Sequence, residues 1–583
     1  IIYDQTCAAE KRRRRKRGSF PDPARRVVIN DHVCEGCGDC SDKSNCMSVA
    51  AVETEFGRKR TIDQSACNKD YSCVKGFCPS FVTVEGGRLR KGRAAANAVA
   101  GWAELPEPQL PSTAAPWGIL ITGVGGTGVV TIGALLGMAA HLEGKGISVL
   151  DMAGLAQKGG AVWSHVRIAD RPEQLFAARV AAGEANAVIG CDLVVAAGDE
   201  SLAKMRAGHT RAVINRDQTM TSEFVRGFAA QARSGDVGAH PDPRFPAGAM
   251  EAQIVDAVGA GRAEFIDATR LATELLGDSI ATNLFMLGYA WQKGLVPLGG
   301  AAILRAIEIN AAAVAANKAA FQWGRRAAVD PQAVAEAARP QHGTPAHHRP
   351  SASLDERVAR RKAHLREYQD EAYAARFAQL VERVRAAEAR VVPGATALTE
   401  AVARGYHKLL AYKDEYEVAR LYTATDFLER VEAQFEGDYK LVFHLAPPTL
   451  ADKDPQTGEL RKKTYGPWML KAMRVLAKFR HLRGTMLDPF ARSHDRRLDR
   501  ALIADYERLV EELLAGLQPA NHAIAVELAA LPEHIRGFGH VRERYLARAR
   551  EREAALLARF RGGALPAAEP AARVHRLIPI VAG

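Results

Sequence analysis

The sequence predicts an α+β multidomain protein of three unlike parts. These are a small cysteine-rich, metal-binding segment, an α/β domain on a mixed or parallel sheet, and a mostly α C-terminal domain. Three observations carry this. Seven of the nine cysteines lie between Cys34 and Cys78. After a glycine-rich turn at Gly123–Gly128, short apolar strands alternate with stretches of helical spacing, the pattern of α/β layering. Beyond residue 364 the chain runs in long charged stretches rich in Ala, Glu, Arg and Leu, with amphipathic periodicity.

The 583 residues leave room for roughly three or four domains. A hydrophobic content of 47% and a charged content of 25% describe an ordinary globular chain. The formal charge is +12, and much of the excess sits in "KRRRRKRG", Lys11 to Gly18. A single polybasic run reads as a solvated helix face or a phosphate contact. Nucleic-acid binding is the alternative, and it lacks stacking aromatics, with only Phe20 close by. The opening "IIYDQTC" reads as the end of a strand entering a turn, so the chain is expected to begin inside a longer protein. No basic head, apolar run and small-residue cleavage site is present, so no signal peptide is expected. Clustered thiols without such a signal point to metal rather than disulfides, and to a cytoplasmic setting. Gly118–Leu142 is long and uncharged, but its patterned glycines divide it into strand, loop and helix; no membrane span is expected.

The cysteine segment, taken as residues 27–92, has two halves. The first reads Cys34-x2-Cys37-x2-Cys40, then Cys46. Three thiolates at this spacing wrap one iron–sulfur cube, and in ferredoxin-type runs the fourth cysteine crosses to the other cube. Gly36 and Gly38 let the backbone turn between ligands. The second half reads Cys67-x2-Asp70-x2-Cys73, then Cys78-Pro79, with an aspartate where the middle cysteine belongs. This gives two 4Fe-4S cubes in a ferredoxin-like segment. One uses Cys34, Cys37, Cys40 and Cys78; the other uses Cys67, Cys73 and Cys46, with Asp70 as the candidate oxygen ligand. Zinc is the competing reading, but it needs about four ligands in two pairs. Cys7 and Cys191 stand alone and read as ordinary buried thiols.

The next part, residues 115–325, opens with the apolar strand Ile119–Thr122, the turn Gly123-x-Gly125-x-x-Gly128 and a helix over Val129–Leu142. "GISVLD" follows as a strand ending in Asp151. Locally this meets the dinucleotide fingerprint, with Gly123, Gly125, Gly126 and Gly128 as candidate cofactor-binding positions. The alternative is a glycine turn that packs a helix closely or receives another anion at its N-terminus. Lys158-Gly159-Gly160 and the strand Val162–Ile168 depart from a plain Rossmann half. "NLFMLGYAWQKGLVP" and "AAILRAIEINAAAVAANKAAFQWG" have the spacing of helices that close this domain.

Residues 326–363 turn rich in Pro, His and Ala and read as a linker. His342, His347 and His348 there have metal-ligand chemistry, but the linker context favours solvent exposure. Residues 364–583 form the helical domain. Arg483-Gly484 and Arg536-Gly537 read either as anion contacts at turns or as buried structural arginines.

The cysteine segment, "GVGGTG" and "AGLAQKGGAVWSHVRI" together resemble the 2-oxoacid:ferredoxin oxidoreductases, the glycine-loop domain being similar to their gamma domain. "IYDQTCAAEKRRRRKRG", "CNKDYSCVKGFCPSF", "NLFMLGYAWQKGLVPL" and "AFQWGRRAAVD" resemble the fused bacterial indolepyruvate ferredoxin oxidoreductases along essentially the whole chain. The resemblance implies oxidative decarboxylation of an aryl 2-oxo acid on thiamine diphosphate and Mg. Coenzyme A takes the acyl group, and two electrons leave singly through the clusters to ferredoxin. It further implies that residues 1–26 are the tail of a thiamine diphosphate domain of the same protein, that the catalytic residues lie outside this chain, that the C-terminal domain has no known function, and that the enzyme is a homo-oligomer. It also weakens the nicotinamide reading of the glycine loop, leaving it as an amide surface for a coenzyme A phosphate. A flavin- or NAD(P)-linked oxidoreductase with a ferredoxin-like insert is the alternative.

Overall fold

The computed structural model describes residues 6, 8–90, 105–125, 127–153, 160–218, 245–339, 345–447, 451–452, 455 and 460–562. Cys7, Gly126, Lys158, Gly159 and His342 lie outside the described residues.

The basic run forms helix Ala8–Lys16. It leads into β1 (Arg25–Ile29), the antiparallel hairpin β2 (Val49–Val52) and β3 (Lys59–Ile62), then β4 (Phe81–Glu85) and β5 (Arg88–Leu89). β4 pairs antiparallel with β1. This small ladder is stapled by its own apolar side chains, Val27, Ile29, Val49, Ile62 and Phe81, which pack with the thiols of Cys34, Cys40, Cys73 and Cys78. Between the strands lie a short helix, Asp39–Ser44, and a 3₁₀ turn, Ser72–Lys75, set against each other.

The α/β part contains β6 (Trp117–Val124), β7 (Gly146–Ala153), β8 (Ala161–Ala169), β9 (Ala187–Gly190), β10 (Arg211–Asn215) and β11 (Ala263–Ile266). Their order in the sheet is β11-β10-β9-β6-β8-β7. β6, β9, β10 and β11 run parallel, whereas β8 lies antiparallel between β6 and β7. The sheet is therefore mixed. Both its faces are covered, which is why β6 reads as a continuous apolar run rather than an alternation. Ile119 and Ile121 face helix Val129–Leu142 and the helices near residues 268–327. Leu120 and Val124 face a second layer that holds Val194, Met250 and Ile254.

The segment Gly118–Leu142 is strand, loop and helix, as its glycines indicate. Among the described residues no helix is long and apolar enough to cross a membrane. The closing helices are Thr282–Gln292 and Val314–Val329. They touch through paired glycines: a Cβ at Gly288 would sit 2.0 Å from the Phe321 carbonyl oxygen, and one at Gly324 would sit 1.9 Å from that of Phe285.

Residues 326–363, expected as a linker, carry regular structure. Helix Val314–Val329 continues into them, and Pro331–Ala337 adds another turn, begun by Asp330, whose carboxylate accepts from the Ala333 amide at 3.0 Å. His347 and His348 are not free in solvent. Both imidazoles meet the buried carboxylate of Asp31, at 3.1 and 2.5 Å, beside Arg430.

The C-terminal part is largely helical, with a core of residues such as Phe377, Val384, Tyr406 and Val510. It also contains β12 (Phe435–Glu436), β13 (Lys440–Leu445) and β14 (Lys463–Tyr465). These strands complete the cysteine segment: β13 pairs with β4, giving a sheet β1-β4-β13-β14, and β12 pairs with β5. β4 is buried at four of its five residues, so both of its edges need a partner strand.

Candidate metal centre

The first ligand loop leaves β1 at Asn30, whose carbonyl accepts the amides of Val33 (3.2 Å) and Cys34 (3.0 Å). The amide of Gly36 then points at the Cys34 sulfur, 3.3 Å away. Gly36 has φ +64°, and a Cβ there would lie 2.2 Å from the Arg58 carbonyl oxygen. No other residue fits without moving the β2–β3 turn. Helix Asp39–Ser44 carries Cys40. The second loop carries Cys73 in its 3₁₀ turn and then reaches Cys78, whose sulfur lies 2.9 Å from the Ser80 hydroxyl. The two loops abut, since a Cβ at Gly76 would fall 2.9 Å from the Cys40 Cα.

The thiols fall into two electrostatic neighbourhoods. Burial pushes the Cys37 thiol well up, and its next influences are Cys78, Cys40 and Cys34. Burial and then Cys34 push Cys40 up to about 12, and the same two raise Cys78 to about 11. In the other neighbourhood burial and then Cys46 raise Cys73, with Cys67 also acting. Burial also raises Cys67, which feels Cys46 and Asp70. Cys40 and Cys73 sense each other across the gap. The raised thiols of Cys37, Cys40, Cys78, Cys67 and Cys73 resist ionising alone; a metal that displaces their protons relieves this.

Spacing separates the two metal chemistries. A tetrahedral zinc with Zn–S bonds of about 2.3 Å would bring its sulfurs to about 3.8 Å of one another. Among the described residues, ligand atoms of three or more side chains come within 4.8 Å at Asp31, His32 and His347, and at His494, Asp495 and Glu543; no three of the cysteine sulfurs do. No three of these thiols thus stand at the spacing of a mononuclear zinc site. Asp70 is exposed, beside Cys67 and Cys73, and its Oδ1 accepts from the amide (3.1 Å) and hydroxyl (2.9 Å) of Ser72.

Cationic donors line both loops. From the basic helix, Arg12 and Arg15 donate to the carbonyls of Ser65 (3.2 Å) and Asn68 (2.6 Å) on either side of Cys67. The run is thus packed on the second loop. From the C-terminal part, Lys413 donates to Val33 and Cys34 (both 3.1 Å), Tyr422 to Pro79 (2.7 Å), Tyr545 to Cys37 (2.8 Å) and Arg536 to Gly36 (3.4 Å). Lys462 donates to the carbonyls of Val74 and Gly76. Arg536 is therefore a contact to the ligand loop. Arg483 is a buried structural arginine, paired with Asp414 at 2.5 Å and donating to the Tyr368 carbonyl. These partners of the cysteine loops lie more than 340 residues away in sequence, with no local pattern to announce them.

The glycine loop is placed differently from a dinucleotide site. Gly128, at φ +101°, begins helix Val129–Leu142. The Gly125 amide donates to the Gly160 carbonyl at 2.8 Å, and Asn283 donates to the Thr127 carbonyl at 3.0 Å. A Cβ at Gly123 would meet Val129 at 2.5 Å and Cys191 at 3.1 Å, so this glycine serves close packing. Asp151 lies on β7, and antiparallel β8 separates that strand from β6. At about 4.8 Å per strand this doubles the lateral distance a fingerprint acid would have. Its carboxylate instead turns over Gly133 in the helix. Cys191 is a buried thiol beside Asp192.

Residues 118–327 match the pyruvate ferredoxin/flavodoxin oxidoreductase family, and residues 354–555 match a family of unknown function, DUF6537. The chain is 28% identical over 214 residues to the indolepyruvate oxidoreductase subunit IorB of Pyrococcus horikoshii, a match covering 36% of this chain and 96% of that protein. The Thermococcus kodakarensis subunit of the same name matches to the same extent. Among solved structures, a keto/oxoacid ferredoxin oxidoreductase gamma subunit from Geobacter sulfurreducens is 20% identical, covering 36% of this chain and 98% of that one with a TM-score of 0.25. Residues 118–327 thus carry a domain of the pyruvate ferredoxin/flavodoxin oxidoreductase family, and over about the same share of the chain the sequence is similar to indolepyruvate oxidoreductase subunits.

Proposed function

We propose that the chain is the electron-transfer and gamma-type portion of an aryl 2-oxo acid:ferredoxin oxidoreductase, with indolepyruvate as the type of substrate. One 2-oxo acid and one coenzyme A give one acyl-CoA, one CO2 and one proton. The two electrons released pass singly to two oxidised ferredoxins. Thiamine diphosphate with Mg supplies the decarboxylation chemistry and is assigned to partner domains of the same protein. The enzyme is taken as a cytoplasmic homo-oligomer.

The observation that carries this reading is the division of the seven thiols between Cys34, Cys37, Cys40 and Cys78 on one side and Cys46, Cys67 and Cys73 on the other. The loops that carry the two groups abut where Gly76 lies against Cys40. Two adjacent 4Fe-4S clusters so held form a one-electron relay. In the second set, Asp70 is the candidate oxygen ligand, held by its Oδ1 bonds to Ser72. In this reading the chain's residues exclude water from the thiolates and fix their positions. Of the loop Gly123, Gly125, Gly126 and Gly128, the N-terminus of helix Val129–Leu142 is the part suited to a coenzyme A phosphate.

The test is a set of anaerobic reductions of the iron-loaded chain. Reduced ferredoxin and the cluster spectrum should exchange electrons, while NADPH alone should leave the clusters oxidised. Direct reduction by NADPH would favour the nicotinamide-linked alternative.

A further inference from the structure

The domain matching the family of unknown function makes an unusual set of contacts. Lys413, Tyr422, Lys462, Arg536 and Tyr545 all fall within residues 354–555, and all donate to backbone carbonyls of the two cysteine loops. The carbonyls they engage belong to Cys34, Cys37 and Pro79, and to residues immediately next to or between ligands: Val33, Gly36, Val74 and Gly76. The same domain adds β13 to β4, the strand that leaves the second loop.

Lys462 is the most telling of the five. Its ammonium is held by the Val74 and Gly76 carbonyls, inside the span from Cys73 to Cys78, and lies 5.2 Å from the centre of the Phe81 ring. Those carbonyls lie between Cys73 of one thiol set and Cys78 of the other, so it stands where the two sets meet. Burying an ammonium costs free energy. Its hydrogen-bond partners are neutral carbonyls, so its charge acts on the sulfurs beside it. A four-thiolate cluster is anionic, and reduction adds one more negative charge. A fixed cation in this half-buried site therefore stabilises the reduced state more than the oxidised one.

We infer that the domain of unknown function is the cover that sets the reduction potential of the clusters, and that Lys462 is its tuning charge. The inference rests on the cluster reading above and assigns a task to a domain that has none. Arg361 and Arg430 of the domain dock it on Glu55 and Asp31 of the cysteine segment, and the five donors reach the cysteine loops themselves.

The experiment uses the full chain, reconstituted anaerobically, with midpoint potentials from redox titration followed by electron paramagnetic resonance. Lys462→Met, which keeps the hydrocarbon stem and removes the charge, should shift the reduction equilibrium about tenfold toward the oxidised form. That is about 59 mV more negative for one electron. Lys462→Arg, which keeps the charge, should stay with the wild type. A K462M midpoint equal to wild type at equal iron content overturns the inference, as does a K462R shift as large as that of K462M. If K462M does not take up iron, Lys462→Gln, which removes the charge and keeps an N–H donor for the same carbonyls, replaces it, and an unmoved midpoint there overturns the inference equally. A wild-type chain that takes up no iron sulfide fails the cluster reading itself, which iron and sulfide analysis shows before any titration.

Discussion

Replacing Arg361 by Met should loosen the joint between the cysteine segment and the C-terminal domain by about 3–5 kcal/mol, the cost of leaving one member of a buried ion pair alone. Arg361 and Glu55 are paired with side chains only 4% and 3% exposed. Arg361 also donates to the Glu55 carbonyl at 3.1 Å, and its guanidinium lies 5.7 Å from the Phe56 ring centre. The Glu55 carboxylate further accepts from the Ser351 amide (2.6 Å) and hydroxyl (2.7 Å). Methionine fills the stem's volume, so the loss falls on the charge and its hydrogen bonds. Glu55 then keeps two donors, and its remaining counter-ion is the part-exposed Arg360, 3.7 Å from the other carboxylate oxygen. Hydrogen exchange of the turn between β2 and β3 reads this directly. At 1.36 kcal/mol per decade, exchange through local opening should speed up by about two to four powers of ten. Glu55→Gln combined with R361M removes the stranded charge and should recover most of the protection. An R361M effect below about 1 kcal/mol, the range of exposed pairs, would refute the view that this joint is dry. So would a double variant as damaged as R361M.

The remaining predictions concern the site and the α/β core. Burial lifts the Asp192 carboxyl to about 6 from 3.8, against the pull of the Val195 amide. The folded state therefore holds its proton more tightly, and its penalty is absent below about pH 4 and complete above about pH 6. Relative to Asp192→Asn, the wild type should lose about 3 kcal/mol of stability across that window; urea midpoints at several pH values check it, and parallel curves would contradict it. Gly36→Ala brings a Cβ to within 2.2 Å of the Arg58 carbonyl at a positive φ, so iron analysis should find about four fewer irons per chain. Asp70→Cys puts a thiolate where the candidate oxygen ligand of the proposed second cluster stands, and that cluster should then bleach more slowly in air than in the wild type.

The parts of this molecule legible in its sequence are those whose partners are close in sequence. The cysteine loops stand out because their thiols recur at two-residue intervals, and the strand–turn–helix at 117–142 because a tight turn needs glycine at set positions. What such a turn does not specify is strand order. The fingerprint glycines are followed by a hairpin rather than a second crossover, so antiparallel β8 lies beside β6 and Asp151 is carried to the far strand. The C-terminal strands were hidden for a related reason. β13 is a six-residue stretch with a weak burial alternation, meaningful only once β4 offers it an edge. Lys413, Lys462 and Tyr545 could not be told from ordinary surface residues, since their carbonyl partners lie hundreds of positions away. His347 and His348 look like linker residues until Asp31 comes to meet them.

The account stands most directly on what the seven cysteines hold. Iron, acid-labile sulfide and zinc should be measured on chain purified without air. The expected result is a brown protein with about seven or eight irons and a similar amount of sulfide per chain, the lower figure if the Asp70-ligated iron is lost. A colourless protein carrying zinc and no sulfide would contradict it.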